Sequence, residues 1–382
     1  MIKRRPVFLI SLFCIQLFWA IPLWIGGNEP LRMSDVPLIP KGKSAGAPPS
    51  LAFIPEPDWV APIYVYAEDL LRQNPPAFPP PQGRQDALML LDGPLHLEMA
   101  DRFKSTYDFF IRRMTRAIES IENAKVEQGA RIWRLYNHGF VVKTPSVTIG
   151  FDIIRGWDSR DNPGSCIGIS PELSSRLLSR IDVLSVSHFH GDHFDKELIR
   201  LFLEQKKPVI LPPDAASQLP PNPLILVPRK ADDPVPTEKD PGKPPAFTLL
   251  NFQNGKNLEY AVYPGHQGAD ALNNITLFRT PENLTFLHTG DQSGDLDWTW
   301  IDRVKDCQKV DVIMVNCWTS NIWRMIQGVN PNGILTGHEV EMRHTPDHRE
   351  AFWRSFQIFR DQTGTAVQIL FWGEDVLYLG KK

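Results

Sequence analysis

The sequence predicts an α/β fold in which two sheets pack face to face and carry helices on their outer faces. Beyond residue 131, each half of the chain contains short β-branched or aromatic runs, and amphipathic helical stretches follow several of them. Two halves of this kind bury their apolar surfaces best as a sandwich of sheets covered by helices. With 382 residues, of which 42% are hydrophobic, the chain can supply that core.

The first half opens with three short strands and then alternates strand and helix. Thr144-Pro145-Ser146 predicts a turn between the second and the third strand. The predicted elements are strands over 132–135, 140–143, 147–151, 183–187 and 209–211, and a helix over 196–203.

The second half continues this pattern behind a long Pro-rich loop over 212–245. Pro346 behind Thr345 predicts a helix start, because proline suits the first helical position. Further strands are predicted over 247–252, 258–263, 275–278, 284–288, 311–316, 334–336, 367–371 and 376–379. Four tryptophans are expected either in the core or, with the Pro-rich loop, at a substrate entrance: Trp298, Trp300, Trp318 and Trp323.

The N-terminal segment 1–27 has the pattern of an export signal or a membrane anchor. Three basic residues at positions 3–5 precede an apolar run from Pro6 to about Gly26. This pattern predicts a signal peptide or an uncleaved anchor, with a buried core helix as the third alternative. Either of the first two places the body of the protein outside the cytosol, secreted or attached to the membrane.

Residues 28–90 are rich in proline and show little periodicity, which predicts an extended tether. An amphipathic helix over 98–126 follows, with apolar side chains spaced by three and four residues. We expect this helix to pack on the body of the protein rather than to bind a partner. The chain over 91–382 is predicted to form one catalytic domain.

Net charge and cysteines indicate little about partners and disulfides. The formal net charge of −3 gives no indication of a nucleic-acid partner. Cys14 lies in the apolar segment, so Cys166, Cys307 and Cys317 cannot form a complete disulfide framework. Cys307 and Cys317 are expected either to form a bridge in an oxidising compartment or to remain two ordinary thiols beside a strand.

The densest cluster of metal-capable residues lies directly behind a predicted buried strand. In an extended segment His188 and His190 point the same way, because strand side chains alternate with a period of two. The turn at Gly191 then lets Asp192 and His193 face a neighbouring position. Imidazole suits zinc, and carboxylates accept zinc, manganese or iron. The loop therefore predicts a site for a pair of divalent ions, and a chance His-rich surface loop is the alternative.

Three more metal-capable residues follow predicted strands. Each comes directly after a glycine, which lets the backbone approach a site closely. They are His266, Asp291 and His338.

With these motifs, the sequence from about Arg131 to its end resembles the metallo-β-lactamase superfamily. The hairpin that closes in Ile149-Gly150-Phe151-Asp152 is similar to the first motif of that family. The resemblance implies a four-layer αβ/βα sandwich of two mixed sheets with outer helices, and a dinuclear metal site. It assigns His188, His190 and His266 to one metal, Asp192, His193 and His338 to the other, and Asp291 to the bridge between them.

The resemblance also implies roles around the ligands. Asp152 is expected to hold the loop that carries the His cluster, and His288 to support the turn before Asp291. His138 is a candidate substrate contact. Asp192 is expected to bind one metal and orient the nucleophile, which makes it the candidate catalytic residue. The histidines expected at the surface are His96, His344 and His348.

The expected activity is hydrolysis of an ester-type bond, either a phosphodiester or a lactone-like ester. Two divalent ions, with zinc expected first and manganese or iron as alternatives, would share a hydroxide as nucleophile and stabilise the oxyanion. Asp291 stands where β-lactamases of this family often carry a cysteine, so the resemblance favours the lactonase and phosphodiesterase branches and a small or lipid-like substrate. The alternative is a membrane-tethered binding or scaffold protein that keeps the fold without catalysis.

Overall fold

The structure is a computed structural model, and it describes residues 53–156, 165–230, 244–252, 255–268, 271–319, 321–342, 344–360 and 365–380. The signal or anchor predicted over 1–27 lies outside these residues, as do positions 231–243 of the predicted Pro-rich loop. In the described part of the chain, no helix has both the length and the apolar composition that a membrane crossing needs.

The tether predicted over 28–90 is wrong where the structure describes it, because two helices occupy most of that stretch. They are α1 (Val60–Gln73) and α2 (Gln82–Leu95). Prolines are dense in the connection between these helices, where irregular backbone suits them, and this density hides the helical periodicity on either side. The folded body therefore includes residues well before position 91.

Both helices are packed on the rest of the protein. Tyr64 on α1 and Leu88 on α2 are fully buried in the apolar cluster that covers the first sheet. Arg84 on α2 is 1% exposed, donates to the Ile369 carbonyl at 2.7 Å and pairs with Glu374. Removing α2 would leave the buried Glu374 carboxylate with only the more distant guanidinium of Arg113, at 3.8 Å, as a charge partner.

The helix predicted over 98–126 is confirmed as α3 (Lys104–Asn123), preceded by a 3₁₀ turn at Ala100–Arg102. Its apolar face, which includes Phe110 and Met114, lies in the same cluster as α1 and α2. The expectation that α3 packs on the body of the protein is therefore confirmed.

The described strands form two seven-stranded sheets. The strands of the first half are β1 (Ala130–Arg134), β2 (Phe140–Lys143), β3 (Thr148–Phe151), β4 (Val183–Ser185), β5 (Val209–Ile210) and β6 (Ile225–Leu226). Those of the second half are β7 (Thr248–Asn251), β8 (Asn257–Gln267), β9 (Ala271–Arg279), β10 (Thr285–His288), β11 (Val312–Asn316), β12 (Gly333–Gly337), β13 (Ala366–Gln368) and β14 (Asp375–Tyr378).

Each sheet is mixed. The first has the order β14-β1-β2-β3-β4-β5-β6, antiparallel up to β3 and parallel from β3 to β6. The second has the order β13-β12-β11-β10-β9-β8-β7, antiparallel from β7 to β10 and parallel from β10 to β13. The last strand, β14, returns to the first sheet and so joins the two halves.

The remaining described helices follow the strands. They are α4 (Pro171–Ser179), α5 (Lys196–Glu204), α6 (Pro213–Ala216), α7 (Trp298–Ile301), α8 (Val304–Cys307), α9 (Ile322–Val329) and α10 (Phe352–Phe359), with 3₁₀ turns at Asp295–Asp297 and Pro346–His348. Pro346 starts only the second of these short turns, and α10 begins later, at Phe352.

Three apolar clusters separate four layers. One lies between the sheets and includes Phe151 and Phe278. A second lies between the first sheet and helices α1 to α5, and a third lies between the second sheet and helices α7 to α9. Trp298 and Trp300 belong to the third cluster, so these two tryptophans are core residues. The predicted four-layer sandwich of two mixed sheets is confirmed.

Candidate metal centre

The carboxyl ends of strands from both sheets meet at one edge of the sandwich. Asp152 follows β3 and the loop 188–193 follows β4, while Asp291 follows β10 and His338 follows β12. Ligands of open α/β sheets collect at this edge, because the loops behind parallel strands end there. The Asn274 N–H of β9 donates to the Ser187 carbonyl at 2.7 Å and ties the second sheet to the His-rich loop.

The far end of the His-rich loop is fixed by a helix cap. Asp195 precedes α5, and its Oδ1 accepts from the Leu198 N–H at 3.0 Å. Arg155 is buried beside it and donates to the two carboxylate oxygens of Asp195 at 2.7 and 2.9 Å. The loop therefore has little freedom between the strand before it and the helix behind it.

Asp192, His193, Asp291 and His338 are all buried and form one cluster. Asp291 Oδ2 lies 3.2 Å from His193 Nε2 and 3.4 Å from His338 Nε2. Asp192 Oδ2 lies 3.4 Å from His193 Nε2 and 3.3 Å from His338 Nε2. A tetrahedral zinc ion with bonds of about 2.0–2.1 Å keeps its ligand atoms about 3.3–3.4 Å apart, so the spacing fits one such ion.

Unpaired ring nitrogens point to the same conclusion. His188 Nε2, His193 Nε2 and His338 Nε2 are buried and accept or donate no hydrogen bond within the described residues. A buried polar atom without a partner is costly, whereas a metal ion satisfies it. The residues present therefore fit the divalent metal that the fold implies.

Neighbouring side chains fix the orientation of His193. Its Nδ1 donates to Asp152 Oδ2 at 2.7 Å, which leaves Nε2 for the cluster. Asp152 in turn accepts from Ser187 Oγ at 2.6 Å and from the Ser187 N–H at 2.7 Å. Ser187 Oγ also lies 2.9 Å from His188 Nδ1, so the proton of that ring sits on Nδ1 and its Nε2 is free as well.

The two carboxylates of the cluster are also held by side-chain amides. Asn316 at the end of β11 donates to Asp291 Oδ1 at 2.7 Å, and Gln267 donates to Asp291 Oδ2 at 3.1 Å. Asn137 donates to Asp192 Oδ2 at 3.3 Å and to its carbonyl at 3.0 Å. These amides keep one oxygen of each carboxylate directed at the imidazoles.

A second group consists of His188, His190 and Asp192. His188 Nε2 lies 3.7 Å from Asp291 Oδ2, so Asp291 stands between the two groups as a bridge would. His266 belongs to neither group, although it was assigned with His188 and His190. Its Nδ1 donates to Asp297 Oδ1 at 2.8 Å, and its N–H donates to Asp297 Oδ2 at 2.8 Å. A carboxylate that holds Nδ1 of a histidine is the usual support of a metal-binding imidazole.

The charges of the cluster compensate one another. Burial lowers the pKa of His193, but Asp291 and Asp192 raise it well above the usual value. Burial also lowers the pKa of His338, but Asp291 and Asp192 outweigh it and raise this pKa to about 10. Burial raises the pKa of Asp291, but His193 and His338 together hold it well below the usual range. Bound metal replaces such protons, because imidazole ligates in its neutral form.

A third group of His138, Asp152 and His288 lies beneath the metal ligands. His288 Nδ1 accepts from the Gly290 N–H at 3.2 Å, and its Nε2 donates to the His138 carbonyl at 3.0 Å. Both nitrogens of His288 are therefore engaged, and Asp152 is saturated by Ser187 and His193. Through these bonds His288 supports the turn leading to Asp291, whereas both ring nitrogens of His138 are buried without a partner within the described residues.

The expectation that His138 contacts the substrate is wrong. Its side chain is 0% exposed and its ring centroid lies 4.2 Å from that of His288. Burial and the neighbouring His288 hold its pKa well below the usual value, so the ring is neutral. His138 packs under the candidate ligands and has no surface that a substrate could contact.

His344, expected at the surface, is half-buried beside the centre instead. Its ring centroid lies 5.6 Å from that of His338, and burial lowers its pKa. Trp318 lies on His338 as well, edge to face with centroids 5.8 Å apart. His348 is 77% exposed at its side chain, as expected, whereas His96 is partly buried and bridges the Asp92 and Arg349 carbonyls at 2.7 and 2.9 Å.

The sequence reasoning missed the residues that orient the ligands. Asn316 ends a predicted strand, which is a signal that could have found it. Asn137, Gln267 and Asp297 carry no comparable signal, because their partners are remote in sequence or lie in irregular loops. The three described cysteines, Cys166, Cys307 and Cys317, are free thiols, so the alternative of a Cys307–Cys317 bridge is wrong.

No protein-family model matches the sequence, and no curated protein matches it. Several solved structures are similar. Igni18, a metallo hydrolase from the archaeon Ignicoccus hospitalis KIN4/I, shares 16% identity at a TM-score of 0.43 over 66% of this chain and 99% of its own. A Thermotoga maritima protein described as a Zn-dependent hydrolase of the metallo-β-lactamase superfamily shares 12% sequence identity at a TM-score of 0.34. The match covers 63% of this chain and 97% of that protein. CmlA, a diiron β-hydroxylase from Streptomyces venezuelae, shares 14% sequence identity at a TM-score of 0.39. The match covers 68% of this chain and 54% of CmlA. Identities and scores this low leave the chemistry to the chain's own residues.

Proposed function

We propose that this chain, whose sandwich of two mixed sheets is that of the metallo-β-lactamase fold, is a metal-dependent hydrolase that cleaves an ester-type bond. One observation carries the proposal: at the meeting edge of the sheets, the ring nitrogens of His193 and His338 each lie 3.2 to 3.4 Å from a carboxylate oxygen of Asp192 and of Asp291. Such a spacing between buried imidazoles and carboxylates suits a divalent ion better than it suits a purely structural network.

Two positions are available for ions. One ion would be held by His193, His338 and Asp192. The other would be held by His188, His190 and His266, with Asp291 between the two ions. A bound pair of divalent ions activates water near neutral pH and polarises the substrate oxygen. Zinc suits this donor set, and manganese and iron are the alternatives that imidazole and carboxylate also accept.

The remaining tasks fall to the side chains of this chain. Asp192, which Asn137 fixes, orients the nucleophile and is placed to accept its proton. Asp152 keeps the His193 ring in the tautomer that leaves Nε2 free. Trp318 and His344, which both lie on the His338 ring, are the side chains we assign to substrate contact.

The substrate class we propose is a phosphodiester or a lactone-like ester of a small or lipid-like molecule. An aspartate, Asp291, holds the bridging position, and Cys317 is a buried thiol whose pKa burial raises well above the usual value. Among the described residues Cys317 belongs to none of the three groups of metal-capable side chains, which supports a centre of nitrogen and oxygen ligands. With the apolar segment at 1–27, we further propose that the domain acts outside the cytosol, secreted or membrane-attached.

The test is metal content together with turnover by the full chain. We expect two divalent ions per chain, and hydrolysis of bis(p-nitrophenyl) phosphate or of simple lactones after loading with zinc, manganese or iron. His193→Ala should lose this activity, whereas His348→Ala, a matched change at an exposed histidine, should keep it. A wild type that binds both ions but hydrolyses neither ester class would favour a non-catalytic binding or scaffold protein. A His193→Ala variant as active as the wild type would refute the part that we assign to His193 in hydrolysis.

A further inference from the structure

A cavity of about 340 Å³ lies between the two sheets, at the end of the sandwich opposite the metal centre. Its lining includes residues that directly precede parallel strands, namely Asp182 before β4, Pro208 before β5 and Leu224 before β6. The loop 188–193 instead follows the carboxyl end of β4, so the cavity and the candidate ligands lie at opposite ends of that strand. The volume is within the range of about 300–1,000 Å³ that is usual for small-molecule pockets.

We call this space the edge cavity, and its walls are largely apolar. Leu226 comes from β6, the outermost described strand of the first sheet, while Leu250 and Phe252 come from β7 and its end in the second sheet. All three side chains are half-buried and pack against the apolar cluster between the sheets. A ligand that fills the edge cavity therefore gains mainly by removing apolar surface from water.

The rim of the edge cavity carries an excess of positive charge. Lys206 and Lys207 line it together with a single carboxylate, that of Asp182. Lys256 Nζ lies 3.6 Å from Asp182 Oδ2, so a third lysine already compensates that carboxylate. Burial lowers the pKa of Lys207, and the nearby Arg180 lowers it further against the opposing effect of Asp182. The rim is therefore suited to an anionic group.

Lys206 is the lysine that is placed to meet a ligand. Its side chain is exposed, and its N–H donates to the Leu203 carbonyl at 2.9 Å, which fixes the residue where α5 ends. Lys207 Nζ instead donates to the carbonyls of Leu178 and Ser179 at 2.7 and 3.0 Å. An anion at the mouth of the edge cavity therefore contacts Lys206, while Lys207 adds charge from a fixed position.

We propose that the edge cavity binds an amphiphilic anion, which consists of a single acyl chain with a carboxylate or phosphate head. The chain lies against Leu226, Leu250 and Phe252, and the head contacts Lys206 at the rim. A neutral lipid would leave the excess charge of the rim without a partner, and a cationic one would be repelled. The inference stands apart from the proposed hydrolysis, because no residue of the cavity lining belongs to the candidate metal centre.

The test is isothermal titration calorimetry of the full chain with dodecanoate below its micellar concentration. We expect one site per chain, and binding that strengthens about fourfold with each methylene from octanoate to dodecanoate, because each methylene is buried in turn. Dodecyltrimethylammonium, which has the same chain and the opposite charge, should not compete. The chelator-stripped chain should bind dodecanoate as the untreated chain does, since the edge cavity is remote from the metal centre.

Two variants locate the site. Lys206→Glu should weaken dodecanoate binding about 5- to 10-fold, because repulsion replaces an exposed ion pair. Leu250→Trp should abolish binding by filling the cavity. Lys305→Glu is the matched control, since it reverses the charge of an exposed lysine on α8 outside the cavity lining, and it should bind dodecanoate like the wild type. If Leu250→Trp does not fold, Lys206→Glu and the chain-length series still decide.

Three results would overturn the proposal: binding that disappears with the metal ions, binding that is unchanged in Lys206→Glu, or binding that does not depend on chain length. Sedimentation of the chain with phosphatidylglycerol vesicles, without binding of free dodecanoate, would overturn it as well. That last result would assign the lysines of the rim to a membrane surface instead.

Discussion

Replacing Asp152 with asparagine tests whether this buried carboxylate sets the tautomer of His193. Asp152 is 1% exposed, and its Oδ2 accepts from His193 Nδ1 at 2.7 Å and from Ser187 Oγ at 2.6 Å. Its φ is +43°, a region that asparagine tolerates as well as aspartate does, so the backbone stays in place. The change is confined to the atom that faces His193.

The size of the effect follows from these contacts. With the amide oxygen on the Ser187 N–H, the amide NH₂ faces His193 Nδ1 and moves the ring proton to Nε2. That atom lies 3.2 Å from Asp291 Oδ2, and a metal ion must displace its proton. We expect metal affinity at the cluster that contains His193 to fall about 10- to 100-fold, which is about 1.4 to 2.8 kcal/mol. The free energy of unfolding of the metal-free chain should fall by about 1.5–3 kcal/mol, the value of one hydrogen bond to a charged group.

The assay is competitive zinc titration together with urea denaturation followed by tryptophan fluorescence. Asp347→Asn is the control, because it makes the same substitution at a side chain that is 76% exposed. If Asp152→Asn binds zinc as tightly as the control does, Asp152 does not orient His193 and the reasoning fails.

Three further predictions concern stability, the metal-site turn and pH. Gly290→Ala should abolish metal binding, because the φ of Gly290 is +51° and an added Cβ would lie 2.2 Å from Asn273 Oδ1 and 2.4 Å from Ser187 Cβ. The measurement is the metal content of the purified variant, and full metal content would contradict this prediction. Glu339→Ala should lower the free energy of unfolding, measured by urea denaturation, by about 3–5 kcal/mol. Arg134 Nη1 lies 2.6 Å from Glu339 Oε2, both side chains are fully buried, and the variant leaves Arg134 without this charge partner. A loss below about 1 kcal/mol would contradict this prediction. Burial raises the pKa of Asp92 to about 6 from an ordinary 3.8, so its contribution to stability is present below pH 4 and is lost as pH rises through 6. Between pH 5 and 7 the wild type should therefore lose about 1 kcal/mol relative to Asp92→Asn in urea denaturation, and parallel pH profiles would refute the shift.

Local patterns predicted the parts of the fold that repeat at short range. The alternation of apolar residues in the strands and their spacing in α3 indicate which face of each element is buried. The residues of the element itself define that face, so a short stretch of sequence is enough to predict it. The helices α1 and α2 were hidden by the prolines between them. Their stability comes from Tyr64, Leu88 and Arg84, whose partners lie elsewhere in the chain.

The sequence by itself determined most of the candidate donor set, because His188, His190, Asp192 and His193 lie within six residues of one another behind one strand. It also marked Asp291 and His338, since each follows a glycine at the end of a predicted strand. Only the tertiary structure decided what surrounds them. Contacts such as Asn316 with Asp291, or Asp297 with His266, join residues 25 and 31 positions apart. The burial of His138 and the approach of His344 to His338 likewise depend on how two sheets and their loops pack, and no short-range pattern records that packing.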